Sequence, residues 1–517
     1  MNNLNHRQTK IQEKRKQTTL RDFVVEIASR RPLNFYKNQG FTSRYPATSR
    51  IGKIISIKDL FDFTQETWSY DWDFFASFQQ MLLGTQTPAT RQVGSSENSE
   101  YADMIHSGKN IYLSIISIYN CEDILYSFST REWAKNTLNS VMVFDHSENI
   151  YQSSWVISSY NIFYSKFVVN SNNIWFSSNC IGCSECIRCD GLENQSYCID
   201  NIELLKEQYL SQKAQILLLK NEFDNRYSQL DNVGQNYGSE NTTWSFVTQS
   251  HDVESGYFSY NTSRGKNIFF TWWNDGNEEL YDVFVGGAKM WNHIYGCQWA
   301  WNSEHIYCSA IINDSSFLYY CMGCVGCSFC LWCTWLQNKS YCILNQQYSK
   351  EDWYKKVDEI FWQMESDGSL WEFFPATMNP FYFNDTTAYL IDPSFTKEEV
   401  EAKGYLRRDE PINVDVPEWM EVVESKDLGK YEGRVVGTQF FASADSQTPP
   451  VFDHLPLSWE MQEWKRKIEP IILKKTIRDD EWNVYRIIKM EYDFLMKYGL
   501  PLPRKHWLDR MKENFRI

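Results

Sequence analysis

Residues 150–180 read IYQSSWVISSYNIFYSKFVVNSNNIWFSSNC, and every third side chain in them belongs to one of four columns. Ile150, Ile162 and Ile174 recur at intervals of twelve, and Val156 and Val168 run six residues out of phase. Ser153, Ser165 and Ser177, with Ser159 and Ser171, fill the places between. A twelve-residue turn carrying apolar, small, apolar, small side chains at every third position describes a flattened coil. Its successive turns would stack at the ~4.8 Å inter-strand spacing, and the reading is a right-handed β-solenoid. Upstream, Asn110-Ile111, Asp123-Ile124 and Asn136-Thr137 mark looser thirteen-residue turns, and Phe144 and Ser147 are placed at the head of the Val156 and Ser159 columns.

The columns run on into cysteine: Cys186 and Cys198 below Ile174, Cys180 below Val168, Cys183 and Cys189 below the serines. The pattern then repeats 144 residues later as Ile294, Ile306, Leu318, Cys330, Cys342 and as Ala288, Ala300, Ile312, Cys324, Leu336. From Cys180 to Asn201, 13 of 22 positions are identical to those in the second copy, so the chain is an internal duplication. The expected architecture is mainly β with helices: tandem duplicated solenoids with twelve-residue coils, each followed by a capping helix. It divides into an N-terminal segment disordered at its start (1–93), a first solenoid (94–201) and a helical cap and linker (202–237). A second solenoid (238–346), a capping helix (347–366), an irregular connecting segment (367–455) and a helical C-terminal segment (456–517) follow. Helical spacing is read over residues 202–230 through Leu204, Leu205, Tyr209, Ile216, Leu219 and Phe223, and again over 459–498. Ser349 to Asp352 and Thr396 to Glu399 look like N-cap signatures, the second opening a short helix that ends at Gly404.

The cysteine runs, Cys180, Cys183, Cys186, Cys189 and Cys324, Cys327, Cys330, Cys333, invite a metal reading. Ferredoxin-type runs close with Cys-x3-Cys-Pro, which neither copy has, and zinc sites fold two Cys-x2-Cys knuckles around one ion. The same columns carry Ile, Leu, Val and Ser in other coils, the substitutions expected where cysteine serves as a compact buried side chain. Core thiols are therefore the favoured reading. Zinc or an iron–sulfur centre stays open as an alternative, as do stacked disulfides at Cys186/Cys198, Cys330/Cys342 and Cys321/Cys333, whose separation suits bridging.

Stacking also places aromatic side chains in ladders: Tyr295, Tyr307 and Tyr319 in the second copy, and Tyr151, Phe163 and Trp175 in the first. His293 and His305 would stack in the same way. Such ladders either support the sheet beneath a helix or offer a binding platform for bases, sugars or a partner.

The formal charge of −15 and pI near 5.2 disfavour wholesale wrapping of nucleic acid. Basic residues gather at the ends: Arg7, Lys10, Lys14, Arg15 and Lys16, then Arg504, Lys505, Arg510, Lys512 and Arg516. They are read as solvated arms, with nucleic-acid contact as the alternative. No apolar run reaches the length of a membrane helix, and residues 1–17 lack the apolar core of a secretory signal, so no membrane association and a cytoplasmic location are expected. No phosphate-binding loop, dinucleotide fingerprint, His-Glu-x-x-His or Gly-x-Ser-x-Gly motif occurs. Asp479, Asp480 and Glu481 are placed at a helix start, where negative charge is favourable.

Several short elements carry a resemblance: Ser-Tyr-Cys-Ile-x-Asn in both copies, Tyr348-Ser349-Lys350-Glu351, Glu372-Phe-Phe-Pro375 and Leu500-Pro-Leu-Pro-Arg-Lys505. Over residues 53–505 the chain resembles an uncharacterised cysteine-rich repeat family with zinc-ribbon ends from candidate-phylum bacteria with small genomes. That family has paired cysteines around Leu-Pro-x-Pro-Arg-Lys; here His506 follows Lys505 and no cysteine follows Cys342, so the resemblance implies that the terminal zinc sites are missing. Trp335 stands where the first copy has Gly191, and the family pattern places glycine at Trp332 and Trp371 as well. The 21 Trp against 23 Gly fit UGA codons read by the organism as glycine, which would put Trp335 in a turn suited to a residue without Cβ.

The sequence thus supports a non-enzymatic solenoid scaffold that binds an unidentified protein or polymer partner through its repeat faces. The rival readings are a nucleic-acid-associated protein using the aromatic ladders and basic ends, and a metal or redox protein using the cysteine runs.

Overall fold

A computed structural model describes the chain except residues 1, 39–40, 47, 57–72, 94, 219–222, 224–229, 231–235, 237, 244–246, 272–276, 287–290, 412–416, 418, 437–438, 443–465 and 516–517. Ala288, Leu219, Arg516 and the start of the 459–498 segment lie outside the described residues.

The twelve-residue columns are vertical stacks. Ile150 pairs in parallel register with Ile162, Ile162 with Ile174, Ile174 with Cys186, and Cys186 with Cys198. In the opposite sheet Val156 pairs with Val168 and Val168 with Cys180. The first solenoid is built from an eight-stranded parallel sheet and a nine-stranded sheet, parallel but for its last strand, that share successive coils, and the second centres on a thirteen-stranded sheet. Together they make about 17 turns. The thirteen-residue turns are present: Ile111 pairs with Ile124, Ile124 with Thr137, and Thr137 with Ile150. One placement is corrected. Val143, not Phe144, lies over Val156, because the step at that coil is still thirteen residues and tightens to twelve at the next; Phe144 pairs with Ile157 and turns outward.

Each coil has four short sides. Every third residue from Trp155 to Asn179 has a φ near +50°, the left-handed region that lets the chain turn. This conformation costs most residues free energy, and Asn tolerates it best. Inter-coil hydrogen bonds offset the cost, as where the Asn170 amide donates to Ile157 O and Phe176 to Phe163 O. The serine columns add a second ladder. Ser153 Oγ accepts from the Ser165 amide at 3.1 Å, Ser165 Oγ from Ser177 at 3.2 Å, and Ser177 Oγ from Cys189 at 3.0 Å. Each hydroxyl also donates to the carbonyl two residues back, at 2.8 Å. A larger side chain would swell the coil, and serine or cysteine supplies the acceptor for the next coil's amide; in the thirteen-residue turns Ala134 takes a small position and the Ser147 amide turns to Phe144 O instead.

The Ser-Tyr-Cys-Ile-x-Asn element closes both stacks. Asn201 side-chain atoms pair with the amide and carbonyl of Asp190, each at 2.8 Å, and Asn345 pairs likewise with Thr334 at 3.0 Å. The chain then reverses into an antiparallel two-residue strand, Ile202–Glu203 or Gln346–Gln347, which blocks the sheet edge. The first cap is therefore a hairpin followed by a helix at Lys206–Leu218, not a helix from residue 202, and Leu205 is exposed. The second cap is Lys350–Ser366, N-capped by Ser349, burying Trp353, Val357, Ile360, Phe361 and Met364. Thr396 caps Lys397–Ala402, and Gly404 follows with φ +86°.

Both ends of the chain are part of the packed body. The segment read as a disordered arm is a helix, Asn2–Gln17, whose Arg7 pairs with Asp358 and whose Arg15 is buried against Glu26 and Asp282. Lys10 pairs with Glu365 and Lys14 with Glu372. The 466–488 stretch is strand and 3-10 turn rather than helix, and the helix begins at Lys489–Tyr498. Asp479 is in a turn, not at a helix start; its carboxylate accepts the amides of Glu481, Asn483 and His506. The last helix, Trp507–Glu513, buries Arg510 against Glu491 at 2.7 Å. Phe515 then wedges between the solenoids, 5.0 Å from Phe128 and 5.5 Å from Phe270. The solenoids also meet directly where Trp155 stacks on Phe258 at 5.1 Å.

Candidate functional site

The cysteines lie inside the coils. All fourteen are buried and free of disulfides, including the register neighbours Cys186/Cys198 and Cys330/Cys342. Where a cysteine replaces serine it keeps the serine's donor role: Cys189 Sγ donates to Ile187 O at 3.3 Å, and Cys321 Sγ to Tyr319 O at 3.4 Å. Burial pushes the thiols of Cys121 and Cys297 up to about 12. Within the runs the thiols reach one another: donation from Cys180 holds Cys183 down to about 6 while the donor is pushed up. Cys186, Cys324, Cys330 and Cys333 are also pushed up, and Cys327 is held down chiefly by donation from Cys324. Among the described residues no three His, Cys, Asp or Glu side chains group as metal ligands.

The tyrosine ladder exists and is covered. Tyr295, Tyr307 and Tyr319 stack at 5.6 and 5.0 Å, with Tyr281 below at 5.6 Å, but Tyr307 and Tyr319 are at most 2 % exposed. The N-terminal helix and the capping helix lie over them: Gln8 donates to the Tyr319 hydroxyl at 2.8 Å, and Phe361 meets its ring edge-on. In the first copy Phe163 and Trp175 stack at 4.1 Å, while Tyr151 turns to Phe494; the helix Lys489–Tyr498 covers Tyr151 and Phe163, and all three rings are buried. Neither ladder is an open platform, because segments distant in sequence fold over it.

His293 and His305 belong to a different column that stays partly open. Their rings stack at 4.8 Å, and the stack continues through Phe317, Phe329 and Tyr341 at 4.5, 4.7 and 5.2 Å, with interplanar angles of at most 18°. Every ring in it is only partly buried. Glu279 ends the stack on one side, bound to His293 Nδ1 at 2.7 Å and the Tyr295 hydroxyl at 3.0 Å; the capping-helix Trp353 and Tyr354 end it on the other. Burial, then the neighbouring His293, lowers the pKa of His305, so that imidazole is neutral at pH 7. Burial raises the Glu279 carboxyl, yet hydrogen bonds from Tyr295 and His293 outweigh it and hold it below the usual range.

The sequence reading found the two histidines and missed the rest of the column. The signal was the duplication itself: 144 residues earlier the same column is Asn149, Asn161, Asn173, Glu185 and Tyr197. There the amides form a polar ladder, with Asn149 donating to Asn161 at 3.1 Å, Asn161 to Asn173 at 2.8 Å, and Asn173 to Glu185 at 2.8 Å. One face has thus diverged from amide to ring while the interior columns stayed alike.

Trp332 and Trp371 are buried and pack as tryptophans: Trp332 stacks on Tyr320 at 4.8 Å, and the Trp371 indole donates to Arg7 O at 2.9 Å. Trp335 has φ +54° and lies over Gly323, but that φ is shared by every third residue of the coil and does not single it out.

No family model matches the chain, and neither a curated protein nor a solved structure is similar to it. Among the described residues no helix is long and apolar enough to cross a membrane.

Proposed function

We propose that the protein is a non-enzymatic scaffold that docks a protein partner on the half-open ring ladder of its second solenoid. The observation that carries this reading is the divergence of one column between otherwise similar copies. Asn at a left-handed corner suits the backbone; His305, Phe317 and Phe329 at the same corners are costlier conformations. Apolar rings there leave half-open hydrophobic surface that the amide ladder of the first copy avoids.

The geometry favours a protein surface over nucleic acid. Ring faces in the stack are occupied by one another, so edges alone remain for a partner, and a base would find no free face on which to stack. Of the terminal basic residues, Arg7, Lys10, Lys14, Arg15 and Arg510 are held in ion pairs, and Lys16 lies over the Tyr281 ring.

The test is quantitative capture from the native host with the wild-type chain, with Phe317→Asn/Phe329→Asn, which restores the amide type of the first copy, and with Asn161→Ala as a control. A partner retained by wild type and the control but lost from the double variant supports the reading. Equal retention by all three, or nuclease-sensitive retention of RNA alone, refutes it.

A further inference from the structure

Between the solenoids lies a cleft of about 140 Å³ lined by Tyr119, Trp299 and Trp301 together with Arg91, His106 and Asp314. Behind it two further arginines are buried. Arg31 is 0 % and Arg44 2 % exposed, and with Arg91 they crowd around one buried carboxylate, Asp103. Asp103 Oδ2 lies 3.3 Å from Arg44 and 3.9 Å from Arg31, and its Oδ1 is taken by the Arg91 amide at 2.8 Å. Arg31 also sits 5.7 Å over the Trp299 ring, which places it against the cleft wall.

Three guanidinium groups thus surround one buried carboxylate, with Asp314 also facing Arg91, and part of their hydrogen-bonding capacity is unfilled, although Arg44 Nη1 and Nη2 are spent on Asp103 and the Tyr45 hydroxyl. Among the described residues none of the three side-chain nitrogens of Arg31 has a hydrogen-bond partner, nor do Arg44 Nε, Arg91 Nη1 and His106 Nδ1. One coil further along the same sheet, Arg131 pairs in register with Ile118 of the cleft lining, and both its Nη atoms also lack a partner. Buried cations that outnumber their carboxylates and keep unfilled donors are costly, and a cluster of them is a feature that an anion would neutralise. Planar guanidinium forks match the oxygens of phosphate in particular.

We propose that this cleft binds a phosphate group, with Arg91 contacting its oxygens and Arg31 and Arg44 supplying the positive field behind it. The volume holds about four or five waters, enough for a phosphate and part of what it is esterified to. Trp299, fixed by its indole N–H to Asn313 Oδ1 at 3.0 Å, and Trp301, 6.3 Å away and nearly parallel, offer apolar wall to an attached ring. This site is separate from the ring ladder and does not depend on it.

The full chain is titrated with inorganic phosphate and with adenosine monophosphate, against sodium chloride at matched ionic strength, by calorimetry and thermal melting. Binding of either at sub-millimolar affinity, weakened at least about tenfold in Arg91→Gln, is the expected result. A tighter monophosphate identifies an esterified ligand, and equal affinity identifies free phosphate; both support the site. Arg31→Met is a second probe: it removes a buried charge that makes no hydrogen bond, and the rise in Tm with phosphate, read against the variant's own apo Tm, is lost. Absence of binding by wild type, or unchanged binding in both variants, overturns the proposal.

Discussion

Replacing Asn345 by alanine tests how the solenoids are closed. The Asn345 amide group satisfies both the N–H and the C=O of Thr334, at 3.0 Å each, in a place where Thr334 is fully buried. Alanine removes both partners at once. An unsatisfied buried polar group costs about 1–3 kcal/mol, and partial relaxation of the last coil brings the pair to roughly 2–3 kcal/mol. The loss is local, so hydrogen exchange resolves it better than global melting in a chain of this size. At 1.36 kcal/mol per factor of ten, the Thr334 amide should exchange about 30- to 150-fold faster, with Cys333 and Asn345 following. Asn345→Asp keeps the acceptor for the Thr334 N–H and loses the donor to its carbonyl, so that amide should stay closer to wild type. Unchanged exchange at Thr334 in the alanine variant would refute the idea that this side chain closes the stack.

Native protein under reducing conditions should show almost no reaction of its fourteen cysteines with a thiol reagent, and full reaction in denaturant; rapid labelling of the 324–333 run in the native state would contradict the core-thiol reading. Burial, then Arg510 and Lys512, lowers the pKa of His506 well below its usual value, and its Nδ1 accepts the Leu508 amide at 3.2 Å. The folded pKa is below the unfolded one, so stability is complete above pH ~6.5 and falls as pH drops, by at most about 1.4 kcal/mol per unit for one proton. His506→Asn, which caps without titrating, should flatten that slope in pH-dependent melting. Trp332, stacked on Tyr320 and edge-on to Phe75 and Phe78, should cost about 3–5 kcal/mol when cut to alanine, read as a lower denaturation midpoint. Gly326→Ala places a Cβ 2.2 Å from Asn338 Oδ1 at φ +65° and should lower stability by about 1–3 kcal/mol, which a combined Asn338→Gly change partly restores.

The interior of the coil was legible in the sequence because a column of buried positions restricts every residue in the same way. Ile150, Ile162 and Ile174, and the serines between, can be read without coordinates. Phe144 was misplaced because it and Val143 are both apolar and the change from thirteen to twelve residues falls beside them, where either register looks acceptable. The ladders were visible as stacks and packing under a helix was one of their two readings, and the capping helix after the second copy does meet Tyr319; the other covering helices, residues 2–17 and 489–498, are distant in sequence, and periodicity inside a repeat carries no information about them. The basic ends misled for the same reason, since Arg7 finds its carboxylate on the second capping helix and Arg15 is buried between the nearby Glu26 and the distant Asp282. The arginine cluster is a sharper case. Arg31, Arg44, Arg91 and Asp103 belong to four separate elements and no motif joins them. The diverged column from His293 to Tyr341 could have been found by comparing the copies position by position.

An experimental density map at side-chain resolution tests the central claim most directly. The account predicts that Ile150, Ile162 and Ile174 lie in line at successive steps of about 4.8 Å, with Cys186 and Cys198 continuing the row inside the coil. Finding those five residues on unrelated elements, or the cysteines directed to solvent, would contradict it.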